Sequence, residues 1–248
     1  MSYELFVSLR QLKAKRTQRF ISLNTWISIG GVALGVMALI VVIAVMSGFG
    51  KDLRDKILGT NSHVVVTNVT RTGMVDYETI MKKVVKVDGV KAAAPFILNQ
   101  VMLAYGDNAV GVVVRGVDVD REAGVSDLEK NLVQGSLKML ERSKKSSGKL
   151  RRDGIILGKE LARKLGVQSD DAVSMVAPAS RTTPMGLIPK IKLFQVVGLF
   201  ESGMFEYDSN LAFISIHSAQ KFFAMKGKVS GIEIRVEDIE QADQVAAG

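Results

Sequence analysis

Cysteine is absent from this 248-residue chain. No disulfide can staple it, so any folded part must rest on a core large enough to need none. The absence does not decide the compartment. Histidine is almost missing too. His63 and His217 lie far apart, with no second histidine near either, so a surface or core place is expected for both rather than metal ligation. Aromatic residues make up 6% and do not interleave with the basic ones, which leaves nucleic-acid binding without support.

Catalytic motifs are lacking as well. No Gly-x-Ser-x-Gly elbow occurs. The stretch Gly154-Ile-Ile-Leu-Gly158-Lys159-Glu160 has three residues between its glycines, where a phosphate loop needs four. Glu160 also stands where that loop needs Ser or Thr. The stretch reads instead as strand, turn and helix. The acids are scattered and mark no pair. No catalytic residue, metal or cofactor is expected on this chain.

The most informative absence is of charge. Phe20 to Gly50 is a run of 31 residues without one charged side chain. A bilayer core needs roughly 20 apolar residues as a helix, so residues 20–50 are expected to span a membrane. A cleaved signal peptide would have a shorter apolar region ending in a small-x-small site. Ala44-Val-Met46 and Ser47-Gly-Phe49 suit that poorly. Residues 1–19 carry Arg10, Lys13, Lys15, Arg16 and Arg19 against Glu4 alone, which puts that end in the cytoplasm and the remainder outside it. Tyr3, Leu5, Phe6, Leu9 and Leu12 recur at mixed three- and four-residue steps. That pattern fits an amphipathic helix on the inner leaflet; it also fits a basic tail that only sets topology.

Within the span, Gly31 and Gly35 form a Gly-x-x-x-Gly pair, which lets another helix approach closely. Met37, Met46 and Phe49 add adaptable or bulky apolar surface, suited to acyl chains; plain lipid-facing roles fit the same residues.

Residues 51–248 carry 28 basic and 24 acidic side chains, an ordinary balance. Strands are expected at Ser62–Val69, Val90–Ile97, Gln100–Tyr105, Ala109–Val117, Gly154–Leu157, Ala172–Val176, Ile191–Phe200, Asn210–Ile216 and Ser230–Val236. Helices are expected from Asp76 to Asp88, from Lys159 to Leu165, from Ser218 to Met225 and from Asp238 onward. Short strands mixed with short helices imply an α+β domain. Glu141–Asp153 is charged and nearly free of apolar residues, and reads as a solvated linker or a lobe boundary. Ala177 to Pro189 holds three of the four prolines. Proline blocks ladder pairing, so residues 177–190 are expected to project as a loop.

Ile29-Gly-Gly-Val-Ala-Leu-Gly-Val-Met-Ala-Leu39 followed by Val45-Met-Ser-Gly-Phe49 closely resembles the first span of LolC/LolE-type permease subunits. These belong to the bacterial lipoprotein-releasing ABC transporter, within the MacB-like class. Lys56-Ile-Leu-Gly59, Arg115-Gly-Val-Asp118, Gly154 to Ala162 and Lys192 to Gly198 fit as well. The resemblance implies a MacB-like periplasmic domain after one transmembrane helix. It implies a machine that lifts lipoproteins from the inner membrane and passes them to a periplasmic LolA-type carrier. ATP and Mg would belong to a separate cytoplasmic LolD-type ATPase. A second LolC/LolE-type subunit, or a copy of this chain, would complete the membrane part.

That family carries a hook which grips the carrier. Thr183-Pro-Met-Gly186 through Pro189 match it, so Arg181, Pro184, Met185, Gly186 and Pro189 are the implied contacts. The acyl chains would meet Val42 and Met46 in the span, with Phe49 at its mouth. The family has four spans and this sequence has one apolar run, so a part of a longer protein is expected. A MacB-like efflux or cell-division subunit, a single-span periplasmic scaffold and an anchored hydrolase stand as the competing readings.

Overall fold

The computed structural model describes residues 3–13, 19–60, 62–68, 73–141, 152–183 and 186–247. Contacts divide the chain into two units, residues 1–54 and 55–248.

The first unit is helical. Helix α1 covers Tyr3–Lys13 and α2 covers Arg19–Thr60. The stretch long and apolar enough to cross a membrane is Leu23–Asp52, with none of it buried. The helix thus outruns the 20–50 bounds that charge alone suggested. Lys51 to Lys56 are mostly good helix formers and no proline intervenes, so nothing local stops the helix where the apolar run ends.

The second unit is α+β. Its strands are β1 (Val64–Thr67), β2 (Val90–Tyr105), β3 (Asn108–Val117), β4 (Leu132–Gln134), β5 (Asp153–Gly158), β6 (Ala172–Thr183), β7 (Gly186–Phe200), β8 (Leu211–Ser215) and β9 (Gly231–Val236). They form one mixed sheet in the order β1-β9-β2-β3-β8-β5-β7-β4, with β6 pairing both β7 and the end of β2. Pairs β3/β8 and β5/β7 are parallel. Between the strands lie α3 (Tyr77–Val84), α4 (Val119–Val125), α5 (Lys159–Leu165), α6 (Phe205–Asn210), α7 (Ile216–Phe222) and α8 (Ala242–Ala247).

The sixteen-residue β2 merges two expected strands. Pro95 sits within it, opposite Ile232 of β9. Pairing with β3 begins only at Phe96, so the N–H that Pro95 lacks is not asked for by a second neighbour.

Alternation along the strands builds two cores. Ile97, Leu103, Val114, Ile155, Leu157, Phe194, Val196 and Ile214 join Leu161, Leu165 and Phe222 of the helices. Val117, Leu137, Leu140, Ile156, Phe200 and Phe213 form a second cluster. Phe194 meets Phe222 edge-on at 6.1 Å and Phe200 meets Phe213 at 5.1 Å, the geometry that ring quadrupoles favour. Among the described residues, none before Val64 contributes to either core, so residues 55–248 carry their own.

Candidate functional site

The proline-rich stretch is a strand hairpin rather than the loop expected over 177–190. β6 and β7 remain in register through Thr182↔Leu187 and Thr183↔Gly186. The reason lies in where the prolines fall. Regular pairing runs to Ala177↔Lys190 and resumes at Arg181↔Ile188, so β6 carries extra residues across the break. Pro178 and Pro189 both lie inside that break, where no ladder hydrogen bond is required of them. Proline therefore interrupts the ladder without ending the strands.

The foot of this arm is held by two lysines of β7. Lys190 donates from Nζ to the carbonyls of Phe222, at 2.6 Å, and Lys221, at 3.0 Å, and lies over the Phe222 ring. Lys192 pairs with the Asp153 carboxylate and lies over Phe194. Ser218 Oγ donates to the same carboxylate at 2.8 Å. Burial alone would push the Asp153 carboxyl up; Lys192 and Ser218 outweigh it and hold it below its ordinary value. The arm thus leaves the domain from a fixed base.

Of the expected carrier contacts, Arg181 and Gly186 lie on β6 and β7, described by their backbone, and Pro189 is exposed at the break. Pro184 and Met185 lie outside the described residues. So do residues 142–151 of the charged linker and 14–18 of the basic segment.

In α2, Gly31, Gly35, Val42, Met46 and Phe49 are brought onto one side. At 3.6 residues per turn they fall within an arc of about 60°. Val42, Met46 and Phe49 are exposed, and a side chain added at Gly31 or Gly35 would meet nothing within 4 Å. Among the described residues, this stripe is free to take a partner helix or lipid.

One group escaped the sequence reading. Arg115, Glu122 and Glu233 converge inside the domain, each under a tenth exposed. Arg115 pairs with Glu233, and its Nη2 is 3.6 Å from Glu122. Ser126 Oγ donates to Glu122 at 2.6 Å. Burial pushes the Glu233 carboxyl up to about 7, and Arg115 only partly offsets it. With the members of the pair 118 positions apart in the chain, no local spacing could have announced them.

His63 lies at β1, where its Nδ1 accepts from the Val236 N–H at 3.3 Å. Burial and Arg235 lower its pKa. No group of three or more potential metal ligands occurs among the described residues.

The family profile of the MacB-like periplasmic core domain matches residues 25–248. The chain belongs to that family. It is 33% identical to the lipoprotein-releasing system transmembrane protein LolC of Neisseria meningitidis serogroup B, over 99% of this chain and 57% of that protein. To LolC of Xylella fastidiosa (strain Temecula1) it is 36% identical, over 97% of this chain and 56% of that protein. The sequence likeness is therefore to LolC-type subunits, and the chain spans somewhat over half the length of these curated relatives. Among solved structures it is similar to the extracellular domain of the noncanonic ABC-type transporter YknZ from Gram-positive bacteria. That likeness has 14% identity and a TM-score of 0.46, covering 70% of this chain and 78% of the other.

Proposed function

We propose that this chain forms part of the membrane subunit of a lipoprotein-releasing ABC transporter. The observation that carries the reading is the likeness to LolC proteins along nearly the whole chain. In this reading α2 crosses the inner membrane with its basic end in the cytoplasm, and residues 55–248 lie in the periplasm. The chain carries no catalytic role of its own. A LolD-type ATPase hydrolyses ATP, and a second LolC/LolE-type subunit or a copy of this chain faces the α2 stripe.

The β6/β7 arm is the handover point. A two-stranded arm on a fixed foot loses little freedom when a carrier seats on it. A single adaptable apolar side chain at its end suits a carrier pocket. Arg181, Pro184, Met185, Gly186 and Pro189 make that contact.

A photoreactive residue at position 185 tests this. It is expected to cross-link a LolA-type carrier, and Met185→Asp is expected to weaken binding by about tenfold or more by burying a charge. A carrier that cross-links nowhere on the arm and binds Met185→Asp normally would overturn the assignment.

A further inference from the structure

Strand β1 is the first sheet element after α2, and it is held at one edge. It has four residues, and among the described residues it pairs with β9 alone. The ladder runs from Thr67↔Gly231 to Val64↔Ile234. One position earlier in the chain, the His63 N–H still donates to the Ile234 carbonyl at 3.1 Å. The next donor of β9, the Val236 N–H, goes to a side chain: it donates to His63 Nδ1 at 3.3 Å.

A ring nitrogen accepts only while it carries no proton. The imidazole therefore closes this end of the ladder in its neutral form, with the proton on Nε2. The imidazolium is a donor at both nitrogens and would leave the Val236 N–H without its acceptor.

The surroundings compensate a protonated ring poorly. Arg235 brings a like charge from β9, and burial disfavours the charged form further; together they lower the His63 pKa from 6.5. Asp127, after α4, acts the other way. Its carboxylate is already shared between Arg235, at 3.2 Å, and Lys130, at 2.8 Å. Glu233 of β9 takes a hydrogen bond from the Ser62 side chain but is paired with Arg115 of β3.

We propose that His63 is an acid-released latch: its neutral ring fastens the start of β1 to β9, and protonation frees the strand. The ring of the released strand has the ordinary pKa and the latched ring a lower one. The latch is therefore complete above pH 6.5 and opens more readily as pH falls below it. Helix α2 ends at Thr60 and β1 begins at Val64. Release moves the first fixed point of the domain from His63 past Thr67, which frees up to about 13 Å of chain. Val64 and Val66 are only partly buried against the core, so β1 can leave without emptying it. In acid the domain gains reach from the membrane-length helix while staying folded. This device is independent of what the arm contacts.

Hydrogen exchange of the whole chain in detergent micelles tests it, read at single amides at pH 5.5 and 7.5 and corrected for intrinsic rates. Protection of Val236 and of the β1 amides is expected to fall at least about fivefold at the lower pH, the equivalent of one hydrogen bond, while β5 and β8 keep theirs. His63→Asn offers an acceptor that does not titrate and should keep β1 protected at both values. Glu233→Gln should retain the parent's acid response, since the response belongs to the imidazole. If His63→Asn does not fold, nitrogen NMR of the parent decides, with the Nε2–H form expected at pH 7.5. Protection of β1 that does not change with pH, an acid response that persists in folded His63→Asn or is lost in Glu233→Gln, or a ring protonated on Nδ1 at pH 7.5 overturns the proposal.

Discussion

Arg115 shows what a single buried cation must do in this domain. It faces Glu233 directly and Glu122 at 3.6 Å. Burial pushes Glu233 up to about 7 from 4.5, Arg115 offsets this only in part, and Glu122 on the same guanidinium adds to the rise. The native state therefore prefers Glu233 protonated. Its contribution to stability is complete below pH 4.5 and is lost as pH rises through about 7. A shift of this size corresponds to about 3 kcal/mol at most. Glu233→Gln removes the titration. Urea unfolding of residues 55–248 at pH 5 and pH 8 should show the parent losing more stability over that interval than the variant. An equal loss in both would show that Glu233 does not carry the effect.

At the scale of elements, local chemistry explains much of the expectation that held. Runs of β-branched and other apolar residues placed β1, β3, β5, β8 and β9, and Gly166 stops α5 in the left-handed region at φ 73°. Gly158, whose spacing only imitated a phosphate loop, has another use. A side chain there would meet the Asp208 carbonyl oxygen at 2.1 Å, so β5 and α6 can approach only over a glycine. Elements with little apolar periodicity went unread: α4, β4 and α6 are each seven residues or shorter and held by neighbours rather than by pattern. The arm was misread because proline was weighed as a strand breaker. The register break between Ala177 and Arg181 absorbs Pro178 and Pro189 instead. In α2 the reverse happened, for the five residues picked out by different arguments fall on one side of the helix. Gly31→Leu should disturb association of this helix in membranes by filling the close-approach position. Native electrophoresis of the assembled transporter would detect it, and unaltered assembly would show that this stripe faces lipid.

At the scale of the whole molecule, a domain with its own two cores carries an arm on a fixed foot, and a separate unit carries an apolar helix of membrane length. The site was legible as a place and not as a shape: composition pointed to 177–190, while the pairing of β6 with β7 there survives because Pro178 and Pro189 fall at the register break. The handover reading makes the arm dispensable for folding and indispensable for carrier contact. The most direct test is binding of a purified LolA-type carrier to residues 55–248, with and without the segment 180–189. Saturable binding that disappears with the segment, from a domain that still unfolds cooperatively, is the predicted result. A well-folded intact domain that binds no carrier, or one that binds equally well without the segment, would contradict the account.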